Sequence, residues 1–316
     1  MVVLTRRLAP IFVALLLGNV ARAADAPRQV WLVSTRDASH CSAPDNAANV
    51  LRYWRLNGDC GWSSANAQDF RDNATTLPTV VFIHGNQTDA DEAVTKGMYA
   101  YQTIRSETAG RPVRYVIWSW PADRLCRRHR NDAQLKAAYS DVESYYLAIW
   151  LNGLRPEVKV SLVGHSFGPR IITGALHILA GGEVAGQKLP DDTVKAWIAK
   201  KRNPIRAVLL ATAEDFDSLA PDGRNGLALS LLDRVLVTRN SCDQRLRWYS
   251  LLYGRGGPEA MGFVGPCGID QPEKLTVVDV SATVGRTHDY ECYCSASNVR
   301  SQWAQFTFLE DAAEKP

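Results

Sequence analysis

From Gln29 onward the chain alternates between two kinds of apolar stretch. Short runs such as "LPTVVFIHGN", "RPVRYVIWSWP" and "VKVSLVG" are apolar almost without interruption. Strands covered on both faces of a sheet have this pattern, whereas half-exposed strands alternate with polar residues. Between the runs, apolar residues recur every three or four positions. Leu135, Tyr139, Val142, Tyr146, Ile149 and Trp150 do so, which predicts a helix over 132–154, and a similar spacing predicts one over 89–106. A third helix is expected over 169–180, closed by Gly181-Gly182, with Pro169 in its first turn where a missing N–H costs nothing.

"QVWLVST", "IRAVLLAT", "DRVLVTR" and "LTVVDVS" read as further strands, and "NVRSQWAQFTFLE" as a last helix. Residues 36–72, rich in Asp, Asn, Gly, Ser, Trp and Cys, read as an irregular, decorated loop region. Strands and helices in alternation predict an α/β fold: a mostly parallel twisted sheet flanked by helices. No internal repeat or Pro/Ser-rich linker divides it, so a single domain is expected.

The N-terminus follows another rule. Arg6 and Arg7 precede "IFVALLLGNV", which is too short to span a bilayer, and "ARA" at 21–23 is a small–x–small cleavage site. Residues 1–23 therefore read as a cleavable signal peptide, with Ala24 as the mature start and the periplasm or the exterior as the destination. "TRRLAP" leaves a twin-arginine route open. The remainder divides into an N-terminal strand and Cys-containing loop region (24–77), a core (78–310) and a disordered tail (311–316).

Composition narrows the partners. Hydrophobic residues make up 46% and charged residues 22%, as in ordinary soluble domains. A net charge of +3 gives no reason to invoke nucleic acid. No later run reaches membrane-spanning length, so no stable insertion of the mature chain is expected. All seven cysteines follow the signal, and an oxidising destination favours disulfides. Locality pairs Cys41 with Cys60 and Cys242 with Cys267, leaving Cys126 to reach Cys292 or Cys294, and the odd count leaves one thiol over. Zinc at the Cys-x-Cys of 292–294 lacks a second paired ligand motif.

In parallel sheets ligands sit beyond the carboxyl ends of the strands. There "VSLVGHSFGPRI" places Ser166 between a buried strand and a helix, in the spelling G-x-S-x-G. A short match of this kind means little without its context, and here the strand-to-helix context is present. A turn this sharp brings strand and helix backbones together, so Gly164 and Gly168 must lack side chains.

A serine needs a base and a group to orient that base. His177 is mid-helix, His165 reads as structural support beside the serine, and His40 and His129 lie in polar loops. His288, in "GRTHDYE" after the last strand, is the candidate base. For the acid, Asp243 in "RVLVTRNSCDQRL" ends the preceding strand, with Asp215 and Asp217 as competitors. Asp243 could equally cap the helix beginning at "QRLRWY", or do both. Donors for a developing oxyanion are expected at the N–H of Phe167 and in the loop after His84-Gly85, at Asn86 or Gln87.

"VVFIHGNQTD", "YVIWSWPADR", "VSLVGHSFGPRI", "TRNSCDQRLRWY" and "THDYE" together resemble the α/β-hydrolase superfamily, in a bacterial esterase- or lipase-like branch. The resemblance covers roughly 78–310, and the order Ser166, Asp243, His288 is that of its triad. It implies a Ser-His-Asp hydrolase cleaving a small-molecule carboxylic ester through an acyl-enzyme, with no metal or organic cofactor. An inactive module of the same fold, an amidase and an acyl transferase are the alternatives. About twenty residues between "IRAVLLAT" and "DRVLVTR" leave little room for a lid, although 36–77 could cover the site. The basic run 123–130 is either a solvated face or a lure for anionic substrates.

Overall fold

The computed structural model describes residues 29–310 apart from 41–42, 44–46, 74–75, 201–202 and 255. The expected signal peptide, the tail 311–316 and Cys41 lie outside the described residues.

Nine strands form one sheet: β1 (Gln29–Ser34), β2 (Arg52–Leu56), β3 (Trp62–Ala65), β4 (Thr79–Ile83), β5 (Arg114–Ser119), β6 (Val160–His165), β7 (Ile205–Leu210), β8 (Arg234–Arg239) and β9 (Leu275–Asp279). Their order is β3-β2-β1-β5-β4-β6-β7-β8-β9. Every pairing from β1 to β9 is parallel, and only β1–β2 and β2–β3 are antiparallel.

The near-continuous apolar runs are explained by cover on both faces. Val81, Ile83, Val116, Trp118, Leu162 and Leu209 pack on one side with α3 (His129–Asn152) and α4 (Phe167–Leu179). Their neighbours Val80, Phe82, Tyr115, Ile117, Val163 and Leu210 face the other side. There they meet Ala100, Tyr101 and Ile104 of α2 (Ala90–Glu107) and the C-terminal aromatics Tyr290, Trp303 and Phe306. Successive side chains of a strand point to opposite faces, so each run feeds two cores at once.

Three elements depart from the sequence reading. The region expected to be irregular supplies β2, β3 and the short helix α1 (Ala67–Asp72), which Asn66 and Asp69 start with a capping box. Phe70 of α1 is buried against Trp31 and Trp150, so tertiary packing overrides the loop-like composition. α3 begins at His129 rather than 132, because Asp132 accepts the N–H groups of Leu125 and Cys126 in the preceding loop instead of starting the helix. The last predicted helix is two pieces, Ser297–Arg300 and Trp303–Phe306, and Phe308 beyond them has φ 57°.

The disulfide expectation also fails within the described residues. Cys60, Cys126, Cys242, Cys267, Cys292 and Cys294 are all free, so Cys242 does not pair with Cys267, nor Cys126 with Cys292 or Cys294. Cys294 is instead fully buried on the α2 side, where its sulfur accepts the Tyr290 hydroxyl. Among the described residues no helix is long and apolar enough to cross a membrane.

One buried carboxyl ties α3 to the sheet. Glu143 accepts the hydroxyl of Thr35 at 2.8 Å and the indole N–H of Trp118 at 3.3 Å. Burial pushes it up to about 7, against the pull of those two bonds and of Arg36. Between pH about 4.5 and about 7 the folded chain keeps a proton that the unfolded chain has lost. Its contribution to stability is therefore present below that window and declines as pH rises through it. Glu143→Gln keeps the acceptor and removes the titration. Urea melts at pH 5, 6 and 7 are expected to show the variant gaining on wild type by about 1.4 kcal/mol per pH unit; a constant difference would contradict the assignment.

Candidate active site

β4, β5, β6, β7 and β8 all deliver loops to one edge of the sheet, their carboxyl ends. At the end of β6 the backbone of Ser166 takes φ 58° and ψ −106°. This conformation costs a non-glycine residue on the order of 1–3 kcal/mol. Two backbone bonds enforce it: Ser166 N–H donates to the Leu210 carbonyl, and Ala213 N–H donates to the Ser166 carbonyl. The flanking glycines permit it. A Cβ on Gly164 would lie 2.6 Å from the Pro169 nitrogen, and one on Gly168 would strike the carbonyl of Ile83. Gly85, in the neighbouring loop, abuts the Ser166 side chain.

The hydroxyl of Ser166 lies 2.9 Å from Nε2 of His288. Nδ1 of the same ring lies 2.7 Å from Oδ2 of Asp243. Asp243 is wholly buried. Burial alone pushes its carboxyl up, but His288, by hydrogen bond and by charge, and then Tyr293 and the Leu246 N–H outweigh it and hold the group below the usual carboxylate range. An ionised Asp243 selects the tautomer with Nδ1 protonated, which leaves Nε2 free to accept the serine proton.

Both oxygens of Asp243 are occupied. Oδ2 also accepts the Tyr293 hydroxyl at 2.6 Å, while Oδ1 accepts the N–H groups of Arg245 and Leu246. Those two bonds hold the backbone at the entry to the 3-10 turn Leu246–Leu252, so the carboxylate orients the imidazole and positions this turn as well. Asp215 is engaged elsewhere, by the hydroxyl of Tyr249, and Asp217 is exposed.

The other expected residues lie around this relay. Among the described residues the N–H groups of Phe167 and Asn86 donate to no protein acceptor, whereas the Gln87 N–H is taken by Asn86 Oδ1 at 2.7 Å. Of the two loop candidates, Asn86 is the one left with a free donor. His84 is buried between the loops, stacked on Trp120; its Nδ1 donates to the Gly85 carbonyl and its Nε2 accepts the Trp120 N–H. Burial pushes its pKa down to about 3, so it stays neutral and acts as a clamp. His165 is likewise held well below its ordinary value, by burial and then by His288. Its Nε2 donates to the His288 carbonyl at 3.0 Å, which pins the backbone of His288.

A cavity of about 780 Å³ opens over Ser166 and His288. Asn86, Phe167 and Lys96 line it on one side, and Trp248, Leu251 and Leu252 of the 3-10 turn on another. His129 and Arg130 also line it, so His129 starts α3 at the cavity's edge rather than lying in a polar loop. The described residues of 36–77 contribute none of the lining. Among the described residues no cluster of His, Cys, Asp and Glu could hold a metal ion.

Sequence reasoning missed Tyr293, Asn240 and Asp132. Asn240 Nδ2 donates to the Tyr293 hydroxyl, and its Oδ1 accepts the Cys242 N–H. The second bond makes an Asx turn, which "NSCD" does signal. Asp132 Oδ2 receives Asn86 Nδ2 at 3.3 Å and so steadies the loop that carries the free donor. For Tyr293 no local pattern gives notice, because its bond to Asp243 spans 50 positions.

No protein-family model and no curated protein matches the sequence. Among solved structures the chain is similar to an iodinated complex of acetyl xylan esterase, with 14% identity and a TM-score of 0.40 over 74% of this chain and 99% of that one. A second acetylxylan esterase structure has 13% identity and a TM-score of 0.35 over 74% of this chain and 97% of the other. Both scores are low, and the chemistry of the site rests on its own geometry rather than on this likeness.

Hydrogen bonds to a charged group contribute about 1.5–3 kcal/mol, so Tyr293→Phe tests that bond's role. The variant is expected to fold and to lose activity mainly in kcat. With one donor gone, the Asp243 carboxyl rises toward its usual range, which the pH dependence of its carboxyl chemical shift should register. A lower kcat with an unmoved carboxyl titration would mean that Tyr293 only fills space.

Proposed function

We propose that this protein is a serine hydrolase of α/β-hydrolase type that cleaves carboxylic esters through an acyl-enzyme. One observation carries the reading: Ser166 Oγ, the His288 ring and Asp243 form a continuous relay of 2.9 and 2.7 Å beside a cavity. A buried serine on a strained turn, aligned with a ring whose tautomer is set by a carboxylate, has the arrangement of an activated nucleophile.

His288 Nε2 takes the hydroxyl proton as Oγ attacks the carbonyl carbon. The oxyanion that forms accepts the N–H groups of Phe167 and Asn86. The imidazolium then returns the proton to the departing alkoxide as the C–O bond breaks, leaving the acyl group on Ser166. Water repeats the sequence: His288 removes its proton, the carboxylic acid leaves, and Ser166 is restored. Asp243 stays ionised throughout and stabilises the imidazolium. Loss of one oxyanion donor typically costs about 3–4 kcal/mol of transition-state stabilisation.

The expected N-terminal signal extends this reading to an exported enzyme acting in the periplasm or outside the cell. Ester hydrolysis there needs no cofactor beyond the three side chains and water.

A fluorophosphonate probe should label the wild type and not Ser166→Ala, and the same pair should differ in turnover of short p-nitrophenyl esters. Labelling that survives in Ser166→Ala would falsify the nucleophile assignment. Asp243→Asn is expected to lower kcat by on the order of a thousandfold or more, whereas Asp215→Asn leaves it within about tenfold. The reverse ranking would move the acid role to Asp215.

A further inference from the structure

The 3-10 turn that Asp243 positions has two faces. Leu246 and Tyr249 point inward and are 3% and 4% exposed. Outward stand Trp248 at 60% exposure and Leu251 at 42%. An indole in this position is not required by the core, whose side of the turn is already filled. Arg245 and Arg247 share the outer face, and the Arg247 guanidinium lies 5.7 Å from the Trp248 ring centroid.

This face continues across the cavity mouth onto α3. Gln134 Nε2 donates to the Leu252 carbonyl, so the turn and the start of α3 are joined. Arg130 lines the cavity, Arg127 and Arg128 precede it in solvent, and Leu125, two residues earlier, is 58% exposed. Among the described residues none of Arg127, Arg128, Arg130, Arg245 and Arg247 forms an ion pair. Acidic groups lie elsewhere around the mouth: Glu92, Asp289 and Glu291 line the cavity from α2 and from the loop and helix after β9.

We propose that this flank of the cavity mouth docks on an anionic phospholipid surface. Solvated arginines alone would suit any polyanion. Exposed Trp and Leu side chains interleaved with them suit a layer that is anionic at its surface and apolar just beneath. The indole and leucine tips enter the acyl boundary, and the guanidinium groups meet the phosphates, each adding about a factor of five in affinity. Docked this way, the mouth faces the layer and the acidic residues stay at its far side. If the enzyme reading is correct, acyl esters held in the layer reach Ser166 directly; the docking itself does not depend on that reading.

Flotation with vesicles tests it, using the full chain with Ser166→Ala so that no lipid is consumed. Binding is expected to phosphatidylcholine vesicles containing phosphatidylglycerol and not to phosphatidylcholine alone, and it should weaken as salt is raised. Arg127→Gln with Arg128→Gln should reduce it by about thirtyfold, with thermal melts and turnover of soluble short-chain esters in the Ser166 background unchanged. Trp248→Ala should reduce it while leaving affinity for a soluble polyanion, duplex DNA, as it was. Absence of flotation with anionic vesicles overturns the proposal. So does binding to DNA as tight as to vesicles with no effect of Trp248→Ala, which would mark a general cation patch. A chain that floats but hydrolyses no ester overturns the enzyme reading alone, and one that hydrolyses soluble esters but never floats overturns only the docking.

Discussion

Asp243 has no contact with solvent, and each of its oxygens is committed to a different part of the cavity. Oδ2 orients His288 and receives Tyr293, and Oδ1 positions the turn that carries Trp248 and Leu251. A buried carboxylate stays charged only where enough donors converge on it. Two backbone N–H groups, a phenol and an imidazole meet that demand here. The same four bonds fix the imidazole's tautomer and the position of one cavity wall, so the chemistry and the shape of the site rest on one charge.

The serine's geometry has a comparable single origin. Gly168 presses on the carbonyl end of β4 and Gly164 on the first turn of α4, so the strand, the loop after it and the helix hold one another in register. The loop after β4 is locked in turn by neutral His84 between Gly85 and Trp120, and by Asp132 at Asn86. The free N–H groups of Asn86 and Phe167 are thereby presented from a backbone that has little freedom to reorganise. Donors fixed before charge develops are the most effective electrostatic arrangement.

The neutral histidines around the serine show what burial accomplishes. His84 and His165 are both driven to their uncharged forms by loss of solvent. Each then serves as a directional donor to a backbone carbonyl. Of these three imidazoles, only His288 bridges a carboxylate and a hydroxyl.

Much of this was legible along the chain. Uninterrupted apolar runs identify the parallel strands because cover on both faces leaves no polar alternation, and the glycines around Ser166 announce a turn that admits no Cβ. The chain order of serine, acid and base restricts the partners to the loops after the last strands. What the chain could not disclose is contact between distant positions. β2 and β3 pair onto the edge of β1, and Phe70 of α1 packs on Trp31 and Trp150, contacts that the composition of 36–72 does not announce. The described thiols expected to pair are free, and Cys294 lies inside a core shared with Ala100, Tyr101 and Ile104 of α2. The place of Asp243 in the chain already favoured it over Asp215, but did not disclose the bonds by which Tyr249 takes Asp215, and Tyr293 and His288 take Asp243. Local propensity arises from neighbours in sequence, whereas burial, charge state and hydrogen-bond partners arise from neighbours in space, and these are set only when the sheet has closed.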